Sequence, residues 1–311
     1  MRFLILALLV FGSVVGSASP LRLALNWKPE PQFGGFYAAD REGFFKAAGL
    51  EVKISEGGSG TPTVQMLAAG QVEYAVVSAD EVVLAHDRGA TEVVALFATY
   101  QTNPQCIMTH TERGYKQLGD LFKDPKAMLL WQAGLPYALY LKKKMQPFRA
   151  HAAPYTGGIS NFKHDPNVAQ QCFATSEPVT AQKEGLATKV FLVAEAGYNP
   201  YTTVLVTRRS RLNDHREEVQ KIVQAVRKGW EAYLQNPSTT NEYMHSLNKA
   251  MNSETFAASA RAQVSLIRTP ETKNGGLGRM TSRRWKELVQ QLHTLDLIKS
   301  DVEAANLFES L

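Results

Sequence analysis

Short apolar segments alternate with amphipathic segments along most of the chain, and this alternation restricts the fold more than any other sequence feature. Strands that alternate with helices form mainly parallel sheets covered by helices. Four predicted strands alternate with helices in the first hundred residues, and the alternation resumes in the middle of the chain. From Asn213 onward the pattern is helical. We therefore predict two α/β lobes and a helical C-terminal region. The predicted strands are 21–27, 50–57, 72–78, 91–100, 127–132, 168–176, 189–197 and 201–210.

The first 18 residues have the pattern of a cleavable secretory signal. Arg2 precedes an apolar run at 3–11, and the small residues Gly16 and Ala18 follow it. A membrane anchor is the alternative, but the run is shorter than the roughly 20 residues that span a bilayer. No cysteine follows the small residues, so no thiol is offered for lipid attachment. We expect an exported protein that is free in a periplasm-like space.

Charge and cysteine content exclude some functions. The chain has a net charge of +5 with both signs interspersed. Its basic cluster at 141–145 is typical of the solvated face of a helix, so we expect no nucleic-acid partner. Cys106 and Cys172 are far apart and lie in no metal-ligand spacing. We treat them as ordinary small buried residues, and the sequence leaves open whether they form a disulfide.

No catalytic or metal-binding pattern is present. The seven histidines show no HExxH motif, and neither Ser78 nor Ser160 lies in GxSxG. The segment GGSGTP at 57–62 lacks the Lys-Ser/Thr pair of a phosphate-binding loop. It is either a ligand-contacting corner or a flexible connection capped by Thr61. The chain is thus predicted to be neither an enzyme nor a metal or cofactor protein.

Acidic residues follow two of the predicted strands at the start of helices. Asp80 and Glu81 come after Ser78, and Glu177 likewise follows a serine. The simplest explanation is capping, because acids in a first helical turn accept from free amides, and this explains at least Glu81. The turns that connect a strand to the next helix also lie together at the carboxyl edge of α/β sheets, where ligands bind. If Asp80, Glu177 and Glu30 reach one cleft, they suit a neutral ligand with N–H donors better than an anion.

Aromatic residues concentrate at strand ends and in the adjacent loops. Side chains in these positions are available for stacking on a flat ligand, whereas core aromatics usually lie within elements. Packing between helix and sheet is the alternative, and we assign Phe36 and Tyr137 to it. The set is Trp27, Phe33, Phe36, Tyr37, Tyr100, Trp131, Tyr137, Tyr155, Tyr198 and Tyr201.

Several separated blocks together resemble one protein family. They are 25–52, 57–85, 131–141, 173–185 (FATSEPVTAQKEG) and 197–207. In this order they are similar to the NMT1/THI5-like substrate-binding proteins of ATP-driven bacterial importers. The resemblance runs from about Leu21 to Thr207 and more loosely through the helical tail.

The resemblance implies an α/β type II periplasmic-binding-protein fold, with two lobes joined by two hinge crossings and a ligand cleft between them. The crossings are expected near 101–109 and 203–207. The implied division of the chain is a signal peptide at 1–18, lobe one at 19–104 and 205–311, and lobe two at 105–204.

The family's ligand positions can be carried over by motif. In this interpretation Trp27 and Tyr155 stack on the ligand, Asp80 and Glu177 accept hydrogen bonds, amides at Gly60 and Thr61 donate, and Trp131 closes the site from lobe two. The full set of implied ligand-binding residues is Asn26, Trp27, Glu30, Phe33, Gly60, Thr61, Ser78, Asp80, Tyr100, Trp131, Tyr155, Ser160, Glu177 and Tyr198.

The resemblance implies the receptor of an ABC importer, with a membrane permease as protein partner. Members bind thiamine-pyrimidine precursors, riboflavin, alkylsulfonates, taurine or nitrate. The aromatic residues and the acids favour a small heteroaromatic ligand, bound by hinge closure of a monomer. An anionic ligand is the first alternative. A pyrimidine-synthesis enzyme like the eukaryotic relatives is the second, although their cysteine-rich motif is missing here.

Overall fold

The computed structural model describes residues 19–58 and 60–311, so the predicted signal peptide lies outside the described residues. The strands are β1 (Leu21–Ala24), β2 (Val52–Ser55), β3 (Tyr74–Val77), β4 (Val93–Tyr100), β5 (Gln105–His110), β6 (Met128–Trp131), β7 (His151–Pro154), β8 (Val168–Phe173), β9 (Thr188–Leu192) and β10 (Thr202–Arg208). No helix within the described ranges is long and apolar enough to cross a membrane.

Helices surround the strands and dominate the C-terminal third. They are α1 (Gly34–Arg41), α2 (Phe44–Ala47), α3 (Thr63–Ala68), α4 (Ala79–Asp87), α5 (Leu118–Lys123), α6 (Pro136–Lys144), α7 (Ser160–His164), α8 (Glu177–Lys183), α9 (Arg209–Asp214), α10 (Arg216–Gln235), α11 (Ser238–Leu247), α12 (Ser253–Ala262), α13 (Val264–Ile267), α14 (Pro270–Gly275) and α15 (Ser282–Thr294). Short 3₁₀ turns lie at Pro31–Phe33, Thr111–Arg113 and Ala304–Asn306.

The described strands form two five-stranded sheets, one with the order β2-β1-β3-β10-β4 and the other with the order β7-β6-β8-β5-β9. Both sheets are mixed, which corrects the prediction of parallel sheets. In the first, β10 runs antiparallel to β3 and β4. In the second, β5 runs antiparallel to β8 and β9. The sequence interpretation did not predict β7, and it assigned β5 to a crossing between the lobes rather than to a sheet.

Two connections join the sheets, at residues 101–104 and 193–201. The predicted crossing at 203–207 is wrong, because these residues lie inside β10 of the first sheet. The backbone N–H of Asn103 donates to the side-chain oxygen of Asn199 at 2.8 Å, so the two connections are hydrogen-bonded to each other. Arg284 of α15 donates to the carbonyl of Asn199 at 2.7 Å and lies 3.8 Å from the centroid of the Tyr201 ring. The C-terminal helices therefore anchor the second connection.

Two glycines allow α1 to pack closely against α10. A Cβ atom on Gly35 would lie 2.2 Å from ring atoms of Trp230, and one on Gly229 would lie 2.2 Å from the Gly35 carbonyl oxygen. Only glycine permits this approach. The contact places the loop before α1, which contains Trp27 and Glu30, against the C-terminal helices.

Cys106 and Cys172 form a disulfide bond and are not free buried thiols. They lie directly opposite each other on β5 and β8, with their Cα atoms 4.9 Å apart. Sequence spacing could not predict this pairing, because the 66-residue separation is bridged only when the two strands pair. The disulfide links the two strands of the second sheet that lie nearest to the first crossing.

Candidate ligand-binding site

Two glutamates follow strands of different sheets, Glu30 in the loop after β1 and Glu177 at the start of α8 after β8. Glu177, the first residue of α8, accepts from the Tyr155 hydroxyl at 2.7 Å and from the Phe173 backbone N–H at 2.8 Å. Burial raises the pKa of the Glu177 carboxyl. Burial, and then the charge of Glu177, raise the pKa of Glu30 to about 7. Near pH 7 the Glu30 carboxyl is therefore about half protonated.

Trp27 presents an open aromatic surface beside these acids. Its side chain is 38% exposed, which is unusual for a large apolar residue. Its indole N–H donates to Glu30 at 3.3 Å, so the ring is oriented by the same carboxyl that faces Glu177. The half-buried Asn26 precedes it at the end of β1. A flat ligand could lie on the indole and still reach the carboxyls with N–H donors.

Tyr100 supports the site from behind rather than lining it. Its ring is fully buried and packs edge-on against Phe173 at 5.9 Å, across the two sheets. Its hydroxyl donates to Gln263 at 2.7 Å, and Gln263 in turn donates to the Pro31 carbonyl at 3.1 Å. Gln263 therefore ties the Glu30 loop to the end of β4. Sequence reasoning missed Gln263, and no local signal marks it.

Asp80 lies at the second crossing. It accepts from the backbone N–H of Glu81 at 3.1 Å and from the Tyr198 hydroxyl at 3.4 Å. Burial, and then the charge of Glu81, raise its pKa to about 7. The residue still has some accessible surface, which fits a carboxyl in a narrow crevice. Tyr198 is buried, so its role is to hold Asp80 rather than to stack on a ligand.

Glu81 has the capping role expected for it. Its carboxylate accepts from the backbone N–H of Ser78 at 2.7 Å, at the start of α4. Ser78 is therefore part of the helix cap. The predictions that Phe36 and Tyr137 are packing residues are confirmed as well, since both side chains are buried in the core.

Phe33 and Trp131 are both buried, so neither presents an open ring face, and burial in the core argues against the predicted ligand contact of Phe33. The closing role of Trp131 stays a prediction. Phe33 is 1% exposed, at the end of a short 3₁₀ turn, and belongs to the core under α1 and α10. Trp131 is 2% exposed and stacks on Phe148 with ring centroids 5.8 Å apart, while Phe122 packs against it edge-on. Phe33 and Trp131 are buried by residues that are not their neighbours in the sequence.

The glycine corner satisfies its own hydrogen bonds. The Thr61 amide donates to the Gly58 carbonyl at 3.1 Å, and the Thr61 hydroxyl accepts from the Gly58 amide at 2.8 Å. The predictions that the Thr61 amide binds ligand and that Thr61 caps the helix are therefore wrong, because α3 begins at Thr63 with Pro62 as its N-cap. Gly60 adopts φ +80° and is exposed. Ser160 is exposed at the first position of α7.

No basic side chain is paired with the acids of the site. Among the ion pairs of the described residues, none involves Glu30, Asp80 or Glu177. The described part of the chain also has no group of three His, Cys, Asp or Glu side chains that could hold a metal. The three carboxyls therefore have no ion-pair partner among the described residues.

The raised pKa of Glu30 predicts a pH-dependent stability. A folded pKa of about 7, above the ordinary 4.5, means that the folded state holds this proton more tightly than the unfolded state. The contribution of Glu30 to stability is then greatest below pH 4.5, falls as the pH rises to about 7, and stays low above it. We expect Glu30→Gln to raise the unfolding free energy by roughly 1–3 kcal/mol at pH 8 and by little at pH 4.5.

Urea unfolding of the wild type and Glu30→Gln at both pH values measures this difference. Glu42→Gln, which changes an exposed acid at the end of α1, is the matched control and should show no such pH dependence. An equal effect of Glu30→Gln at the two pH values would contradict the assignment.

Comparison with known proteins identifies the fold. The aliphatic sulphonate binding protein SsuA of Escherichia coli superposes with a TM-score of 0.68 at 11% identity, covering 93% of this chain and 92% of that one. The desulfurization enzyme DSZB superposes with a TM-score of 0.61 at 14% identity, covering 92% and 95%. The periplasmic-binding-protein fold predicted from the sequence is confirmed. A receptor and an enzyme share it, so the fold alone does not decide function.

Sequence comparison agrees with the structure. The formylaminopyrimidine-binding protein of Halalkalibacterium halodurans is 21% identical over 301 residues, which cover 94% of this chain and 90% of the relative. The profile of the family described as NMT1/THI5 like matches residues 30–128 and 161–240, more than half of the chain. These matched segments include Glu30, Asp80 and Glu177. The family resemblance inferred from the sequence is confirmed, and the chain belongs to the NMT1/THI5-like family.

Proposed function

We propose that this protein is the solute-binding receptor of an ABC importer and that its ligand is a small heteroaromatic with N–H donors, such as a thiamine-pyrimidine precursor. The pairing of Glu30 and Glu177 carries the proposal. The pKa of both carboxyls is raised. They follow strands of different sheets and have no ion-pair partner among the described residues. Such carboxyls can accept hydrogen bonds from the N–H groups of a ligand. An amino group beside a ring nitrogen would supply such donors in the plane of the ring.

The aromatic residues support the same ligand class. Trp27 offers an exposed ring next to Glu30, and the half-buried Tyr155 lies beside Glu177. Stacking holds a flat ring, and hydrogen bonds to ionised carboxylates then fix its orientation. The formylaminopyrimidine-binding relative, although only 21% identical, bears a name that agrees with this chemistry.

An anionic ligand is the second candidate, because the SsuA neighbour is named for sulphonates. A sulfonate at this site would meet two acids, and desolvated like charges repel strongly. The chemistry of the site therefore favours the heteroaromatic. An enzyme is the third candidate, since DSZB shares the fold, but the described acids have capping or ligand-accepting contacts rather than a nucleophile–base arrangement.

The proposed mechanism is closure of two lobes about the crossings. The sheet division supports lobe one at 19–104 with 205–311 and lobe two at 105–204, although β10 places Thr202–Val204 in the first sheet. Lys183 of α8 already reaches Asn252 and Glu254 at the start of α12, so the two sides touch across the cleft. A membrane permease would recognise the closed monomer.

The proposed location is the periplasm. The predicted signal peptide would direct export, and the disulfide between Cys106 and Cys172 suits an oxidising compartment. The periplasmic name of the SsuA neighbour agrees with this location.

Isothermal titration calorimetry with a ligand panel tests the function. The panel contains an aminopyrimidine, a formylaminopyrimidine, riboflavin, taurine and an alkylsulfonate. We expect micromolar or tighter binding of the pyrimidines, and mass spectrometry should recover the bound ligand unchanged. Binding of the sulfonates alone would overturn the proposed ligand class, and recovery of a converted product would overturn the receptor role.

A further inference from the structure

A cavity of about 360 Å³ lies beside the candidate site, on the second sheet. Two stretches line it, residues 131–135 at the end of β6 and after it, and residues 152–155 along and after β7. Because β6 and β7 are parallel neighbours, their carboxyl ends open on the same side of the sheet. Glu177 begins the helix that follows β8, the other parallel neighbour of β6. The cavity therefore opens at the same sheet edge as the acids.

The lining of this cavity is apolar and carries no charged side chain among the described residues. Ala133, Leu135, Ala152, Ala153 and Pro154 supply most of it. Leu135 is 40% exposed at the rim. A single exposed leucine means little, but an exposed leucine over an uncharged cavity indicates a surface that an apolar group could cover.

Part of the polar lining of the cavity is hydrogen-bonded within the protein. The amide oxygen of Gln132 accepts from Gln171 at 2.8 Å, and the Gln132 backbone N–H donates to Gln171 at 2.6 Å. The Tyr137 hydroxyl donates to the same Gln171 oxygen at 2.8 Å. These bonds hold Gln132 and Gln171 in place, while the indole N–H of Trp131 has no hydrogen-bond partner among the described residues. Because its lining carries no charged side chain, the cavity selects against charge.

Tyr155 joins the cavity to the acids. Its side chain lines the cavity, and its hydroxyl donates to Glu177 at 2.7 Å. A ligand whose N–H groups reach Glu177 therefore lies within the length of one tyrosine ring of the cavity. A substituent that extends from Glu177 past the Tyr155 ring would reach the cavity.

We infer that the cavity binds an uncharged, apolar substituent of the ligand, so that the substrate class is an N–H-donating heteroaromatic with an apolar arm. This inference rests on the proposed function. It assigns the selection of the arm to Ala133, Leu135 and Ala152, while Glu30 and Glu177 select the ring.

A series of 4-aminopyrimidines with hydrogen, methyl, ethyl or propyl groups at C2, and a second series at C5, tests the inference by calorimetry. We expect one series to gain about fourfold in affinity for each methylene buried. The same arm ending in a carboxylate should lose that gain. In Ala133→Leu, which fills the cavity from an exposed loop position, the affinity gain of the substituted over the unsubstituted ring should disappear. Ala133→Ser, which keeps the volume, should retain it.

Two results would overturn the inference while leaving the proposed function intact. One is tight binding of the pyrimidines with no gain in either series. The other is an equal loss of all ligands in Ala133→Leu.

A second measurement does not depend on the pyrimidine. Methyl NMR of alanine-labelled protein titrated with n-propanol and toluene should shift the Ala133, Ala152 and Ala153 signals, and filling the cavity by Ala133→Leu should abolish the shifts of Ala152 and Ala153. If no pyrimidine binds, the proposed function fails, and these shifts alone decide whether the cavity takes apolar groups. Their absence in the wild type would refute the cavity assignment.

Discussion

Replacing Glu177 by glutamine should weaken aminopyrimidine binding at least 100-fold and leave the protein folded. A hydrogen bond to a charged acceptor contributes roughly 1.5–3 kcal/mol, and its loss leaves a ligand donor unpaired in a desolvated site. The glutamine can still accept from the Phe173 amide through its oxygen and donate to the Tyr155 hydroxyl through its nitrogen. The local structure is therefore retained, but its free acceptor and its charge are lost.

Calorimetry at pH 8, where Glu30 is mainly ionised, gives the clearest comparison. Glu112→Gln is the matched control, because Glu112 is an exposed acid of the second sheet region, in the 3₁₀ turn after β5. It should bind like the wild type. Binding by Glu177→Gln within threefold of the wild type would show that the ligand lies elsewhere. A large fall in its melting temperature would instead assign Glu177 a structural role.

The parts of the fold that local patterns encode could be predicted from the sequence. The strands β3 and β4 are apolar runs, so their positions follow from the local pattern. The acids that follow Ser78 after β3 and Ser176 after β8 are visible in the local sequence as well. The capping role of Glu81 follows equally from its place three residues after Ser78. Both features depend on neighbours in sequence, which is why single-sequence reasoning reached them.

The missed strands depend on partners far away in the chain. β5 follows β4 after only four residues, so its apolar run was interpreted as a hinge, and its antiparallel pairing with β8 and β9 has no local signature. β7, with the sequence HAAP, has no β-branched residue and lies at the sheet edge, where pairing with β6 alone defines it. The apolar pattern of β10 likewise does not indicate that this strand runs antiparallel to β3 and β4.

Dependence on distant partners also explains which site residues could not be predicted from the sequence. Trp27 and Trp131 both lie at or just beyond the end of a short strand in an apolar context, yet one is 38% exposed and the other 2%. Phe122 and Phe148 cover Trp131, and nothing near it in sequence reveals this. The approach of Glu30 to Glu177, and the support of the Glu30 loop by Gln263, are also products of tertiary packing.

Removing the disulfide should cost about 4 kcal/mol of unfolding free energy, since cross-linking residues 66 apart removes that much chain entropy from the unfolded state. The double variant Cys106→Ala with Cys172→Ala, measured by urea unfolding, gives the total loss. Reduction of the wild type gives the loss of the cross-link without the loss of two buried sulfur atoms. A thiol assay on denatured, unreduced wild type should find no free thiol, and finding two would contradict the bond.

The disulfide should also affect the ligand site, because Cys172 precedes Phe173, whose backbone N–H holds Glu177. Without the cross-link, the end of β8 is held to β5 by backbone hydrogen bonds alone, and Glu177 loses part of its fixed position. We expect the reduced wild type to bind the aminopyrimidine severalfold more weakly than the oxidised wild type. The measurement is made at pH 8 without urea, so that the protein stays folded. Unchanged affinity together with lower stability would confine the role of the disulfide to folding, and unchanged stability would show that the pairing of β5 and β8 suffices without it.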